Sequence, residues 1–145
     1  MVEVTDWVSV SELLSSTSGY EHVVWKSDVD GLDIHILVSA WTRIDASCDT
    51  IWFEFDPAST WGPRTDVDAL IDLIADSGRH LFVYDNLGRR MLELPPGQDR
   101  AAPLHALTGW LRQQRTGHVA VPYVDVWAFH DPAARLGERS RPPSL

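Results

Sequence analysis

Residues 30–42 read DGLDIHILVSAWT. Asp30-Gly31 is a turn signal, because a primed two-residue turn needs positive φ at both central positions. Leu32 to Thr42 then alternates. Leu32, Ile34, Ile36, Val38 and Ala40 fall on one side of an extended chain, and Asp33, His35, Leu37, Ser39 and Trp41 on the other. That alternation predicts a strand, and with Tyr20 to Lys26 before the turn it predicts a hairpin. A third strand over Thr50 to Asp56 puts Ile51, Phe53 and Phe55 on one side. Pairing the second and third strands antiparallel sets Val38 beside Phe55 and Ala40 beside Phe53. The same register sets Trp41 opposite Trp52 on the reverse face.

Outward from this block the punctuation is regular. Ser9-Val-Ser-Glu12 fits a capping box and predicts a short helix with Val10, Leu13 and Leu14 inward, stopped at Gly19. Thr65 to Asp68 predicts a second helix start, with Val67, Leu70, Ile71 and Ile74 at helical spacing and Gly78 as its stop. His80 to Asp85 and Arg89 to Leu94 predict a second hairpin across Asn86-Leu87-Gly88. A third helix starts near Pro103 and carries Leu104, Leu107 and Leu111, with Gly117 as its stop. Val119 to Phe129 predicts a last strand. Pro122 within it cannot donate to a ladder, which predicts an edge strand or a bulge. The expected fold is a single α+β domain over residues 1–131. Its order is α-β-β-β-α-β-β-α-β, a mostly antiparallel sheet of five or six strands with three helices packed on it. Residues 132–145 read as a flexible tail, dispensable for folding. This element order resembles small immunity-protein and secretion-chaperone architectures, an analogy of fold that assigns no site.

Composition narrows the function classes. There are 21 acids against 12 bases, a formal charge of −9. Arg135, Arg139 and Arg141 against Glu138 make the tail positive, which leaves the preceding body at −11. An acidic body of this kind excludes nucleic acid as a direct ligand and favours a basic protein partner. Cys48 is the single cysteine, so no internal disulfide forms. No basic leader and no apolar run of about 20 residues appears, so no membrane association and a cytoplasmic, soluble protein are expected.

Signatures of chemistry are weak. Asp28-Val-Asp30-Gly31-Leu-Asp33-Ile-His35 is dense in oxygen ligands, but a calcium loop needs acids at its first, third and fifth positions and glycine at its sixth. The six histidines show no paired ligand spacing, and no glycine-rich phosphate loop exists. No metal and no cofactor are expected. An enzyme reading rests on a pocket of His35, Cys48, Asp33 or His130, brought together by the fold.

Two features point to protein recognition instead. Asp68, Asp72 and Asp76 stack at i, i+4 and i+8 on one helix, where like charges repel by a few tenths of a kcal/mol per pair. A row of this kind suits a solvated face or a basic partner. Of the seven tryptophans, Trp41 and Trp52 are expected on the reverse face of the sheet, with Trp61 in the loop Ser59-Thr60-Trp61-Gly62-Pro63. Tryptophan is enriched at interface hot spots. The expected function is a non-enzymatic acidic interaction module, such as an immunity protein or an escort of a basic partner. Its partner-binding residues are Trp41, Trp52, Trp61, Asp68, Asp72 and Asp76. A small hydrolase-like enzyme and an assembly subunit that oligomerises through an edge strand are the alternatives.

Overall fold

The turn at Asp30-Gly31 forms as its chemistry requires, with φ of 45° and 93°, but a helix follows it. The computed structural model describes residues 8–114 and 121–130. Its elements are α1 (Val10–Ser15), β1 (Val24–Ser27), α2 (Asp33–Ser47), β2 (Thr50–Phe55), α3 (Thr65–Asp76), β3 (His80–Asp85), β4 (Arg90–Leu94), α4 (Ala101–Gln114) and β5 (Val124–Phe129). The fold is α+β, with a five-stranded sheet and four helices among the described residues.

The predicted second strand is therefore α2, and the reason lies in its full length. Ile34, Leu37, Trp41 and Ile44 are buried, and Cys48 follows them. Their spacing of three, four, three and four is one helical stripe. The strand alternation and this stripe share Ile34. A window that stops at Thr42 leaves out Ile44 and Cys48, the residues that decide between the two periods. A helix also carries the chain back so that β2 pairs parallel with β1, Val24 against Thr50 and Ser27 against Phe53.

The sheet order is β1-β2-β5-β3-β4. The β2–β5, β5–β3 and β3–β4 pairs are antiparallel, so the sheet is mostly antiparallel with one parallel edge pair. Those directions make β1-α2-β2, β2-α3-β3 and β4-α4-β5 connections between strands that run the same way. Crossovers of this kind are right-handed almost without exception, and here right-handedness carries all three helices over one face. The burial agrees. Ile51, Phe53, Phe55, Leu81, Val83, Val124, Val126 and Ala128 alternate inward and pack under the helices.

The last strand lies in the middle of the sheet, between β2 and β3, and not at an edge. Pro122 precedes Val124 and takes no part in the ladder, so its missing N–H costs nothing there. The edges are β1 and β4. The capping box forms: Ser9 Oγ accepts from Glu12 N–H, and Ser9 N–H donates to the Glu12 carboxylate. In that helix Leu14 is buried, whereas Leu13 stays exposed. No helix among the described residues is long and apolar enough to cross a membrane. The predicted tail, 132–145, and the predicted stop at Gly117 lie outside the described residues.

Candidate functional site

Because the helices share one side, the other face of the sheet is, among the described residues, left to its own side chains. Alternation in three adjacent strands gathers aromatic rings there. Trp52 on β2 sits directly across from Trp127 on β5, and Phe82 on β3 sits across from Trp127 on the other side. The two indoles meet edge-on, 6.1 Å apart at 66°, and Lys26 Nζ lies 4.2 Å from the Trp52 ring centre. Phe82, His80 and Phe129 form a triangle of near-parallel rings, with His80 4.7 Å and Phe129 5.4 Å from Phe82 and 5.4 Å from each other. Trp127 is 42% exposed although aromatic. A shallow groove of about 550 Å³ runs along Trp52, Trp127, Lys26 and Tyr84.

At one end this face passes into a carboxylate cleft of about 520 Å³. It stands at the carboxyl ends of the parallel strands β1 and β2, where open α/β sheets commonly bind ligands. The turn after β1 contributes Asp28 and Asp30, β2 contributes Glu54, the residue after β2 is Asp56, and Tyr123 enters just before β5. Asp56 Oδ1 accepts from the N–H groups of Ala58 and Ser59 at 3.1 Å each, which folds the 56–59 turn. Trp61 forms the rim. Its backbone N–H donates to Gly31 O at 2.9 Å, and Thr60 Oγ1 donates to the same carbonyl at 3.3 Å. A Cβ on residue 31 would lie 2.5 Å from Ser59 O and 3.0 Å from the Trp61 ring, so only glycine lets the two loops close.

The cleft concentrates negative charge. Burial first, then the charges of Asp33, Asp28, Asp56 and Asp125, push Glu54 up to about 7. Burial and Asp28 likewise raise Asp125, against the pull of Lys26. Burial raises Tyr123, helped by Glu54, Asp125 and Asp28. For Glu54 the folded state binds a proton more tightly than the unfolded chain. Its contribution to stability is therefore complete below the ordinary value of 4.5 and is lost as pH rises from there through about 7. Glu54→Gln is expected to raise the urea midpoint at about pH 8 and leave it nearly unchanged at about pH 4. Equal midpoints for the two chains at the higher pH would show a well-solvated carboxylate.

The sequence-predicted residues separate. Trp41 turns inward on α2, 7% exposed, and belongs to the core rather than to a reverse face. Trp52 is on the open sheet face, and its cross-strand partner is Trp127 in place of Trp41. Trp61 is 78% exposed at the cleft rim. Asp68, Asp72 and Asp76 are all exposed on α3, on the far side of the sheet from Trp52, with His105 Nδ1 3.6 Å from Asp68. One flat partner surface cannot cover both the row and Trp52.

The pocket of His35, Cys48, Asp33 and His130 does not assemble. His35 and Cys48 lie at opposite ends of α2, about 20 Å apart along the helix. Cys48 is fully buried. His130 is at the Cys48 end, where its N–H donates to Asp49 O. His35 instead meets Asp66 at the start of α3, Nδ1 to Oδ2 2.8 Å. Among the described residues no three carboxylate, imidazole or thiol side chains converge as metal ligands would.

Two residues of the open face escaped the sequence reading, Trp127 and Phe82. The signal for both was present, since Trp127 opposes Val126 and Ala128, and Phe82 opposes Leu81 and Val83. No family model, curated protein or solved structure matches the chain.

Proposed function

We propose that the chain is a non-enzymatic interaction module that grips a basic protein partner, as an immunity protein or an escort does. One observation carries this reading. An aromatic sheet face that no helix among the described residues covers, with Trp127 at its centre, runs directly into a cleft of carboxylates with Trp61 at the rim. Exposed tryptophans supply anchoring area, and the acidic rim supplies charge complementarity and a fast approach. The enzyme reading keeps the His35–Asp66 pair, but Cys48, at the far end of α2 and buried, cannot serve it.

The test is capture of a basic protein from the source cells by the immobilised chain, at low and at high salt. Retention is expected to weaken as salt rises. Trp127→Ala is expected to cost about 2 kcal/mol of binding, beyond the roughly 1 kcal/mol of folding stability that goes with its edge contact to Trp52. The same assay decides whether the α3 row takes part. If it does, reversing Asp72 and Asp76 to lysine slows association and leaves the folding midpoint in place. An unchanged rate makes that row an ordinary solvated helix face. Failure of Trp127→Ala to weaken capture would remove the sheet face as the anchor.

A further inference from the structure

We infer that the free edge of β1 is the docking site for an extended segment of the basic partner, apolar at its centre and basic at its ends, which adds a strand to the sheet and seats alternate side chains beside α1. This deepens the interaction reading above and rests on it.

The edge itself is the first support. Among the described residues β1 pairs with β2 alone. Thr50 N–H donates to Val23 O at 3.5 Å, which sets the alternation of the parallel ladder. The main-chain groups of Trp25 and Ser27 therefore turn to β2. Those of Val24 and Lys26 turn outward, where no described strand meets them. An unpaired row of this kind is a template for an extended chain.

The second support is a groove of about 520 Å³ beside that edge. Val8, Val10, Leu13, Val29 and Ile36 wall it. Val8, Leu13 and Val29 are exposed, so the wall is an apolar patch open to a ligand. Two polar side chains also line the groove. Trp25 and Ser27 are only 8% and 6% exposed, yet Trp25 Nε1 and Ser27 Oγ have no hydrogen-bond partner. Buried polar atoms are normally paired, so these two favour a ligand that brings a hydroxyl or amide with it.

Strand geometry selects the ligand. Side chains of an added strand alternate between the two faces of the sheet. One set enters the groove beside Trp25 and Ser27. The other lies next to Val24 and Lys26, which border the aromatic groove of Trp52 and Trp127. An extended peptide fills both grooves and pairs with the edge between them; a compact molecule reaches only one. The surroundings set the charge. Residues 8–33 hold Glu12, Glu21, Asp28, Asp30 and Asp33 against Lys26, five acids to one base, a local charge of −4. Basic residues at the ends of the segment complete the match.

The test combines the full chain with acetyl-Lys-Val-Thr-Val-Thr-Val-Lys-amide, followed by amide hydrogen exchange and methyl shifts. In the free chain the amides of Val24 and Lys26 are expected to exchange fast. With peptide they are expected to become protected, with saturable shifts at the methyls of Val8, Leu13 and Val29. Only one alternate set of peptide amides faces the edge, so N-methylating that set is expected to abolish binding and N-methylating the other to spare it. Leu13→Gln, at an exposed helix position, is expected to weaken binding about tenfold and leave the unfolding midpoint in place. Glutamates in place of the two peptide lysines are expected to weaken it as well. Equal binding of the two N-methylated peptides, or indifference to Leu13→Gln, would overturn the site. So would protection of Val24 and Lys26 in the free chain: protection lost on dilution would assign the edge to a second copy, and protection lost on deleting residues 1–7 would assign it to the chain itself. If a basic protein is captured through Trp127 while the peptide leaves the edge unprotected, the edge site falls and the interaction reading stands. If the peptide binds at the edge while no basic protein is retained, the edge site stands and the basic-partner reading falls.

Discussion

Arg79→Met is expected to destabilise the fold by about 3–5 kcal/mol. Arg79 precedes β3 and its side chain is wholly buried. Nε donates to Asp45 Oδ1 at 2.7 Å. Nη1 donates to Asp49 O at 3.0 Å and Ala128 O at 3.4 Å, and Nη2 donates to Asp45 O and Cys48 O at 2.8 Å each. One guanidinium thus closes the C-terminal carbonyls of α2 and ties them to the start of β2 and the end of β5. Methionine fills similar volume but supplies no donor. Asp45 is 29% exposed and can rehydrate, so most of the loss comes from the orphaned main-chain carbonyls. Arg79→Lys is expected to recover only part of the loss, because an ammonium cannot span acceptors set in several directions. Urea unfolding with an unchanged slope measures the effect. A midpoint unmoved by Arg79→Met would mean that the network is solvated and contributes little.

The three tryptophans first grouped as one patch are expected to part by several kcal/mol. Trp41→Ala removes a core indole packed among the buried side chains of α2 and its neighbours, and should cost about 3–5 kcal/mol. Trp61→Ala removes a ring that is 78% exposed, and should stay within about 0.5 kcal/mol of the parent. Trp52→Ala belongs between them, since it loses an edge contact with Trp127 worth about 1 kcal/mol as well as partial burial. Thermal or urea unfolding of the three single variants gives the order. Equal, large losses for Trp41 and Trp61 would mean that the cleft rim is packed against something the described residues do not include. The split also separates stability from recognition, because only the exposed ring is free to serve a partner at no folding cost.

Local chemistry was legible wherever one short segment decides the outcome. The Ser9–Glu12 capping box, the positive φ of Asp30 and Gly31, the stripe of α3 and the β3–β4 hairpin all follow from neighbours within a turn or two. The sequence by itself determined an acidic α+β chain, most of its element types, and the place of Trp61 in a loop between breakers; the exposure of that ring came from the structure. Tertiary structure decided what depends on pairing. Between Leu32 and Thr42 two periods compete, and burial of Ile44 and Cys48 against the sheet made that segment a helix, which turned Trp41 inward. Insertion of β5 between β2 and β3 set Trp127 beside Trp52 and Phe82, partners more than forty residues away in the chain. The same topology sent every crossover helix to one face and left the aromatic face without a helix among the described residues. It also brought acids from two turns and a strand into one cleft, and carried Arg79 to the carbonyls that end α2. Contacts of this kind are set by which strands pair and which way each crossover turns, and neither is written in any local stretch of residues.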